Sequence, residues 1–174
     1  MPGDQVSPRA ASERAALALA ERGVRSISVR FAPTVHGAGD HGFIARIIEV
    51  DRGHGAAGYV GDGRNRWPAV HRDDAAALVR IGIERAPHGT VLHAVAEEGV
   101  AMREIADAIS RRFGLPATEI SAETAAERFG FLGQFIAADM PASSTMTREL
   151  LGWEPSGPTL IQDIADGAYT SYSD

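Results

Sequence analysis

Histidine and arginine carry most of the chemistry this sequence could offer, because other common tools are missing. There is no cysteine, which excludes thiolate nucleophiles, disulfides and thiolate metal sites. There is no lysine either, since all 17 residues counted as Lys+Arg are arginine. That removes a phosphate-binding lysine, a Schiff-base lysine and any tyrosine–lysine proton relay. The run Gly37-Ala38-Gly39-Asp40-His41-Gly42 has the spacing G-x-G-x-x-G, and Asp62 lies twenty positions beyond Gly42. In a dinucleotide fingerprint the first glycine sits at a strand end, so that the following helix N-terminus meets a pyrophosphate. Here Ala32 to His36 separate Gly37 from the strand expected to end at Phe31, and the run reads as a substrate-side loop.

The histidines show no H-x-x-x-H or H-E-x-x-H pairing, and three or four converging ligands would be needed for a metal; none is expected. Arg64-Asn65-Arg66-Trp67 places two guanidiniums beside an indole, a combination that grips anionic or planar ligands. Arg66 and Trp67 are therefore candidate substrate-binding residues. Ser143-Ser144 lacks the G-x-S-x-G elbow of a hydrolase nucleophile. The neighbouring acids Asp73-Asp74 and Glu97-Glu98 diverge rather than flank a substrate, and the first pair reads as helix capping.

The chain of 174 residues is one domain's worth, with 44% apolar and 23% charged residues and a net charge of -6. Its interspersed charge offers no basic footprint for nucleic acid or membrane, and no apolar run is long enough to span a bilayer. Met1-Pro2-Gly3-Asp4-Gln5 has no apolar signal region, so a cytoplasmic location is expected.

Elements to position these residues follow from periodicity. Ser7 to Arg22 reads as a helix stopped by Gly23, and Val24 to Phe31 as a strand. Ala32 to Gly42 reads as loop, Phe43 to Val50 as helix, and Asp51 to Gly58 as a Gly-rich connection. Two short extended pieces surround Gly61-Asp62-Gly63, and a helix runs from Asp73 to Arg85. Thr90 to Ala96 is the second clear strand, and Met102 to Phe113 a helix ended by Gly114. Short helices are expected near 122–129, 145–151 and 160–168, with a frayed tail from Tyr169. The two main strands should be parallel neighbours in an α/β arrangement, yet two are few for such a sheet.

Four segments, in order, resemble the extended short-chain dehydrogenases, the NAD(P)-dependent epimerase/dehydratase family. Arg30, Val35, Gly37, Gly39 and Asp40 match its R-x-x-x-V-Y-G-P-G-D pattern, with His36 where tyrosine is common. Pro68-Ala69-Val70-His71-Arg72-Asp73-Asp74-Ala75-Ala76 resembles V-H-V-D-D-V-A. Leu92-His93-Ala94-Val95 with Arg103 to Ile109 resembles the last strand and helix, and Leu150-Leu151-Gly152-Trp153-Glu154-Pro155 the closing L-G-W-x-P.

The resemblance implies an α/β fold: the C-terminal part of a Rossmann-like unit, with few parallel strands and a small helical lobe. Segments 7–31 and 90–113 would be late Rossmann elements, and 32–89 and 114–168 the substrate-side lobe. It further implies that Pro33 and Thr34 meet an NAD or NADP cofactor, while His36, Arg66, Trp67 and His71 line a pocket for a small-molecule substrate. The family's glycine fingerprint and Y-x-x-x-K motif have no counterpart here. No catalytic residue is therefore assigned, and the isolated chain is expected to bind cofactor weakly or not at all. Self-association, or union with a separate N-terminal half, is expected. A non-catalytic ligand-sensing or dimerising module is the alternative.

Overall fold

The computed structural model describes residues 8–169. Ser7, the expected start of the first helix, and the tail beyond Tyr169 lie outside the described residues. Helices α1 (Pro8–Ala18), α2 (Phe43–His54), α3 (Arg72–Arg85) and α4 (Met102–Phe113) alternate with strands β1 (Ile27–Phe31), β2 (Thr34–His36), β3 (Ala57–Val60), β4 (Arg66–His71), β5 (Thr90–Ala94) and β6 (Glu97–Ala101). Strand β7 (Ala117–Ile120) and the short helices α5 (Ala122–Phe129), α6 (Gly133–Ile136), α7 (Thr145–Leu151) and α8 (Leu160–Asp166) complete the order.

Local chemistry explains the clearest elements. In α4 the side chains of Met102, Ile105, Ala106, Ala108 and Ile109 fall on one buried face. Arg111 and Arg112 sit in its last turn, where cations suit the helix dipole, and Gly114 ends it at φ 66°. Helix α8 starts in a capping box: Thr159 accepts from the Gln162 N–H, and the Gln162 side chain accepts from the Thr159 N–H.

Strand β1 pairs in parallel with β5, Ile27 opposite Thr90 through Phe31 opposite Ala94, as the sequence predicts. Two further sheets have orders β2-β4-β6 and β3-β7. The region expected to be loop between Ala32 and Gly42 thus contains β2, which forms because Thr34 to His36 pair in parallel with Ala69 to His71. Strands β6 and β7 were likewise not anticipated, because Glu97-Glu98-Gly99 and Ala117-Thr118-Glu119 have little intrinsic strand preference. They exist through pairing, β6 antiparallel to β4 and β7 parallel to β3. The β4–β6 register shifts between Trp67 and Ala69, at Pro68, which has no N–H for a ladder. Helix α2 runs on to His54, four residues past its expected end, before a left-handed Gly55.

Two buried clusters form. Ala32, Leu78, Leu92, Ala94, Leu151 and Trp153 pack where α3 and α7 meet β1 and β5. Ile44, Trp67, Ile105, Phe129, Ile164 and Tyr169 belong to the other, under α2, α4, α5 and α8. Tyr169 is therefore a core residue rather than part of a frayed tail. Asp73-Asp74 do not cap α3. The side chain of His71 accepts from the Asp73 N–H, while buried Asp74 accepts from Ser156 and Gly157 N–H and fixes the loop before α8.

Glycines 53 and 133 separate two effects by sign. A Cβ at Gly133 would lie 2.4 Å from the Ala125 carbonyl oxygen, pushing α6 off α5, whereas a Cβ at Gly53 meets open space. Gly133→Ala is expected to lower unfolding free energy by about 1–3 kcal/mol, the range for overpacking. Gly53→Ala, in the last turn of α2, should raise it by about 0.5–1 kcal/mol. Urea unfolding of both variants checks the pair.

Candidate functional site

Three adjoining hollows make one cleft across the face that holds the N-terminus of α2, and Phe43 lines all three. The first, of about 750 Å³, lies between α1 and β1 and is walled by Arg9, Glu13, Ser28, Arg30, Phe31 and Pro33. Glu13 accepts from Arg30 Nε at 2.9 Å and Ser28 Oγ at 2.6 Å, and these bonds hold its carboxyl down at about 2. The second hollow, about 360 Å³, is walled by Pro33, Val35, His36, Asp40, Phe43 and Arg72. The third, about 650 Å³, opens between α2 and α5 and is lined by Arg46, Glu127, Arg128, Phe129 and Phe131 besides Phe43.

Behind the second hollow sits a buried polar network. His36 is fully buried, and its Nδ1 lies 2.5 Å from Asp163 Oδ2 on α8. His71 points its Nε2 at the same oxygen, 3.8 Å away, and the two imidazoles meet edge to face at 5.6 Å. His71 Nδ1 accepts from the Asp73 N–H at 3.3 Å. Glu97 Oε2 lies 3.8 Å from His36 Nε2 and accepts from the Leu160 N–H at 2.8 Å. Tyr169 donates its hydroxyl to Asp40 Oδ2 at 3.1 Å, and burial first, then Asp40, push its pKa well above the usual range. This network ties the ends of β2 and β4 to α8.

The glycine loop now has a different explanation. Strand β2 ends at His36, directly before Gly37, so the separation from a strand end expected from sequence does not exist. What distinguishes the loop from a pyrophosphate cradle is Asp40: its Oδ1 accepts from the Gly42 N–H at 2.5 Å, at the N-cap of α2. One backbone N–H of the loop is thus already taken by the chain's own carboxylate.

The other expected site residues divide. Pro33 lines the first and second hollows, and His36 the second. Thr34 is buried beside them, donating its hydroxyl to the Pro68 carbonyl at 2.5 Å. His71 stands behind His36. Trp67 is in the core, donating Nε1–H to the Phe135 carbonyl, and touches the cleft only through its ring contact with Phe43 at 6.0 Å. Arg66 is the exposed first residue of β4, where Asp139 holds its guanidinium with two bonds of 3.0 and 2.9 Å. The structure thus brings Pro33, Thr34, His36 and His71 together and leaves Arg66 apart. Sequence reasoning missed Phe43, Asp40, Arg128 and Asp163. An acid on the apolar side of α8, between Leu160 and Ile164, is the one signal that could have revealed Asp163.

Arg128 and Asp51 form a second buried pair, 2.6 Å apart, with the guanidinium also bonded to the Ala56 carbonyl. Asp51 is fully buried and Arg128 7% exposed, so this pair clamps α5 to the end of α2 and the start of β3. Burial pushes the Asp51 carboxyl up to about 7, against the pull of Arg128. Among the described residues no group of three His, Asp or Glu could hold a metal ion, and no helix is long and apolar enough to cross a membrane.

No family model matches the chain. It is 46% identical over 162 residues to an uncharacterized protein of Schizosaccharomyces pombe, covering 93% of this chain and 55% of that protein. With an uncharacterized protein of Saccharomyces cerevisiae it shares 40% identity over 156 residues, 90% of this chain and 52% of the relative. The chain thus spans about half the length of the curated relatives it matches. Among solved structures it is similar to DesIV, a dTDP-glucose 4,6-dehydratase from Streptomyces venezuelae with NAD and TYD bound. There the TM-score is 0.69 at 17% identity, over 91% of this chain and 48% of that one. A UDP-galactose 4-epimerase gives a TM-score of 0.67 at 19% identity, over 92% of this chain and 50% of the other. The likeness establishes the fold: α/β, with the described elements corresponding to the C-terminal part of a Rossmann-like epimerase/dehydratase fold.

The Asp51–Arg128 pair has a testable pH signature. The folded chain keeps a proton on Asp51 up to about pH 7, while the unfolded carboxyl releases it near 3.8. This contributes stability in acid that declines between those two values and is lost above the upper one. Arg128→Met strands the buried carboxylate and is expected to cost about 3–5 kcal/mol at pH 8, where Asp51 is ionised. At pH 6 the loss should be smaller. Unfolding curves at both pH values read the difference.

Proposed function

We propose that this chain is the substrate-side part of an NAD(P)-dependent epimerase/dehydratase-like protein and that it is inactive by itself. The observation that carries the reading is β1. Among the described residues it pairs with β5 alone, leaving an edge of unpaired backbone above a large hollow and beside half-exposed Phe31. The far side of β5 is met at one point within the strand and again just past its end: Thr147 accepts from the His93 N–H, and Ser144 donates to the Val95 carbonyl. A strand from a cofactor-binding part would complete the sheet at β1, and the solved structures similar in fold are roughly twice as long and in several cases hold NAD.

In that assembly Pro33 and Thr34 face the nicotinamide end of the cofactor, and the cleft around His36 and Phe43 takes the substrate. The cofactor supplies hydride chemistry; these residues position the two reactants and exclude water. The proton relay has to come from elsewhere. Tyr59 is buried under Arg103, Tyr169 is bonded to Asp40, and Tyr172 lies outside the described residues. An arginine could lower a tyrosine pKa but cannot pass a proton on. The same facts favour the second reading, a ligand-sensing or dimerising module that kept the architecture without the chemistry.

Calorimetric titration with NAD and NADP tests the first reading. No saturable binding tighter than about 1 mM is expected, because the family's glycine fingerprint has no counterpart in the sequence and Asp40 already takes one N–H of the glycine loop. Micromolar binding that disappears in Gly39→Ala would overturn the assignment of the glycine loop.

The open edge and α1, which buries no residue of its own, should also drive self-association. Light scattering is expected to show a mass that grows with concentration, and a monomer at every concentration would contradict it.

A further inference from the structure

The third hollow, between α2 and α5, has walls whose chemistry points to a class of ligand. Its apolar lining is Phe43, Phe129, Phe131 and Leu132. Phe131 is 68% exposed at the rim, held against Phe135 with ring centroids 5.1 Å apart. A phenyl ring left in water beside a concave surface is a contact waiting for a partner. The charges are the second observation. Two guanidiniums line the hollow, Arg46 and Arg128, and each already has its own carboxylate: Glu49 at 2.7 Å and Asp51 at 2.6 Å. Glu127 adds a further carboxylate to the wall. Counting these partners, two positive groups stand against three negative ones. That balance opposes a diphosphate, and the Arg128 guanidinium is held by a fully buried carboxylate that an entering anion would have to displace.

We propose that this hollow binds an uncharged molecule carrying a flat aromatic ring, such as an aryl ketone or alcohol, and that it rejects nucleoside diphosphates. The inference rests on the reading of the cleft as a substrate site and narrows its substrate class. The ring stacks on Phe131 and the inner wall of Phe43 and Phe129, where offset or edge contacts between aromatic groups are favourable. No ion pair is broken when it enters.

The test is titration of the full chain at pH 8 with acetophenone, 2-acetylnaphthalene and UDP-glucose, followed by ligand-observed NMR, in the native chain and in Phe131→Ala. Phe131 is largely exposed, so its replacement, which removes only the contact with Phe135, should shift thermal unfolding slightly and leave the chain folded. The proposal expects saturable binding of the aryl ketones, the naphthyl compound at least fivefold tighter, unaffected by salt and weakened about tenfold or more in Phe131→Ala. UDP-glucose should show no saturation. Binding of UDP-glucose that falls with salt and with Phe131→Ala overturns the ligand class while leaving the cleft as a substrate site. Binding of none of the three, or aryl-ketone binding indifferent to Phe131→Ala, overturns the proposal and removes the support for a substrate site here.

Discussion

A pair of parallel strands is an incomplete object: each has two rows of backbone donors and acceptors, and pairing satisfies only the inner ones. The β1–β5 pair is partly answered on one side within the chain. On β5 the outward His93 N–H is met by Thr147, the carbonyls just beyond the strand are met by Ser144 and Arg148, and α3 covers a face with Leu78 and Ala75. On β1 the neighbouring surface is polar, made of Glu13, Ser28 and Arg30, with Phe31 half-exposed among them. The arrangement of α1, the first hollow and Pro33 around that edge follows from leaving it accessible.

The rest of the molecule is stitched by buried carboxylates. Asp163 joins α8 to β2 and β4 through His36 and His71. Asp74 joins α3 to the loop before α8, and Asp51 joins α2 to α5. A buried carboxylate without partners is costly, so each fixes the relative position of the elements that supply them. Such contacts also explain why small sheets of three or four residues persist: β2 is held at both ends, by Thr34 on Pro68 and by His36 on Asp163.

Much of the α/β framework was legible in sequence. Strands β1 and β5 carry β-branched or apolar runs between breakers, and α4 shows a clean apolar face ending in glycine. Their parallel pairing followed from alternation alone. Strands β2, β6 and β7 were not legible, because their residues take strand geometry only when a partner is present, a tertiary effect that local preference does not carry. At the site, residue type misled where neighbours decide. Trp67 reads with the two arginines as a grip for an anionic or planar ligand, yet it faces the core, and the Arg66 guanidinium is bonded to Asp139. His36 and His71 were singled out through the family resemblance, while the acid they share, 127 residues beyond His36 in sequence, was not.

Amide hydrogen exchange along β1, measured at increasing protein concentration, addresses the central claim that its outer edge is an unsatisfied docking edge. Ala32 N–H bonds to the Ala94 carbonyl, so by strand alternation the amides of Ser28 and Arg30 face β5, and those of Val29 and Phe31 face outward. The account predicts that in dilute solution Val29 and Phe31 exchange far faster than Ser28 and Arg30, and that only the outward pair gains protection as concentration rises. Equal protection of all four at every concentration would show that the edge is already satisfied, and would contradict it.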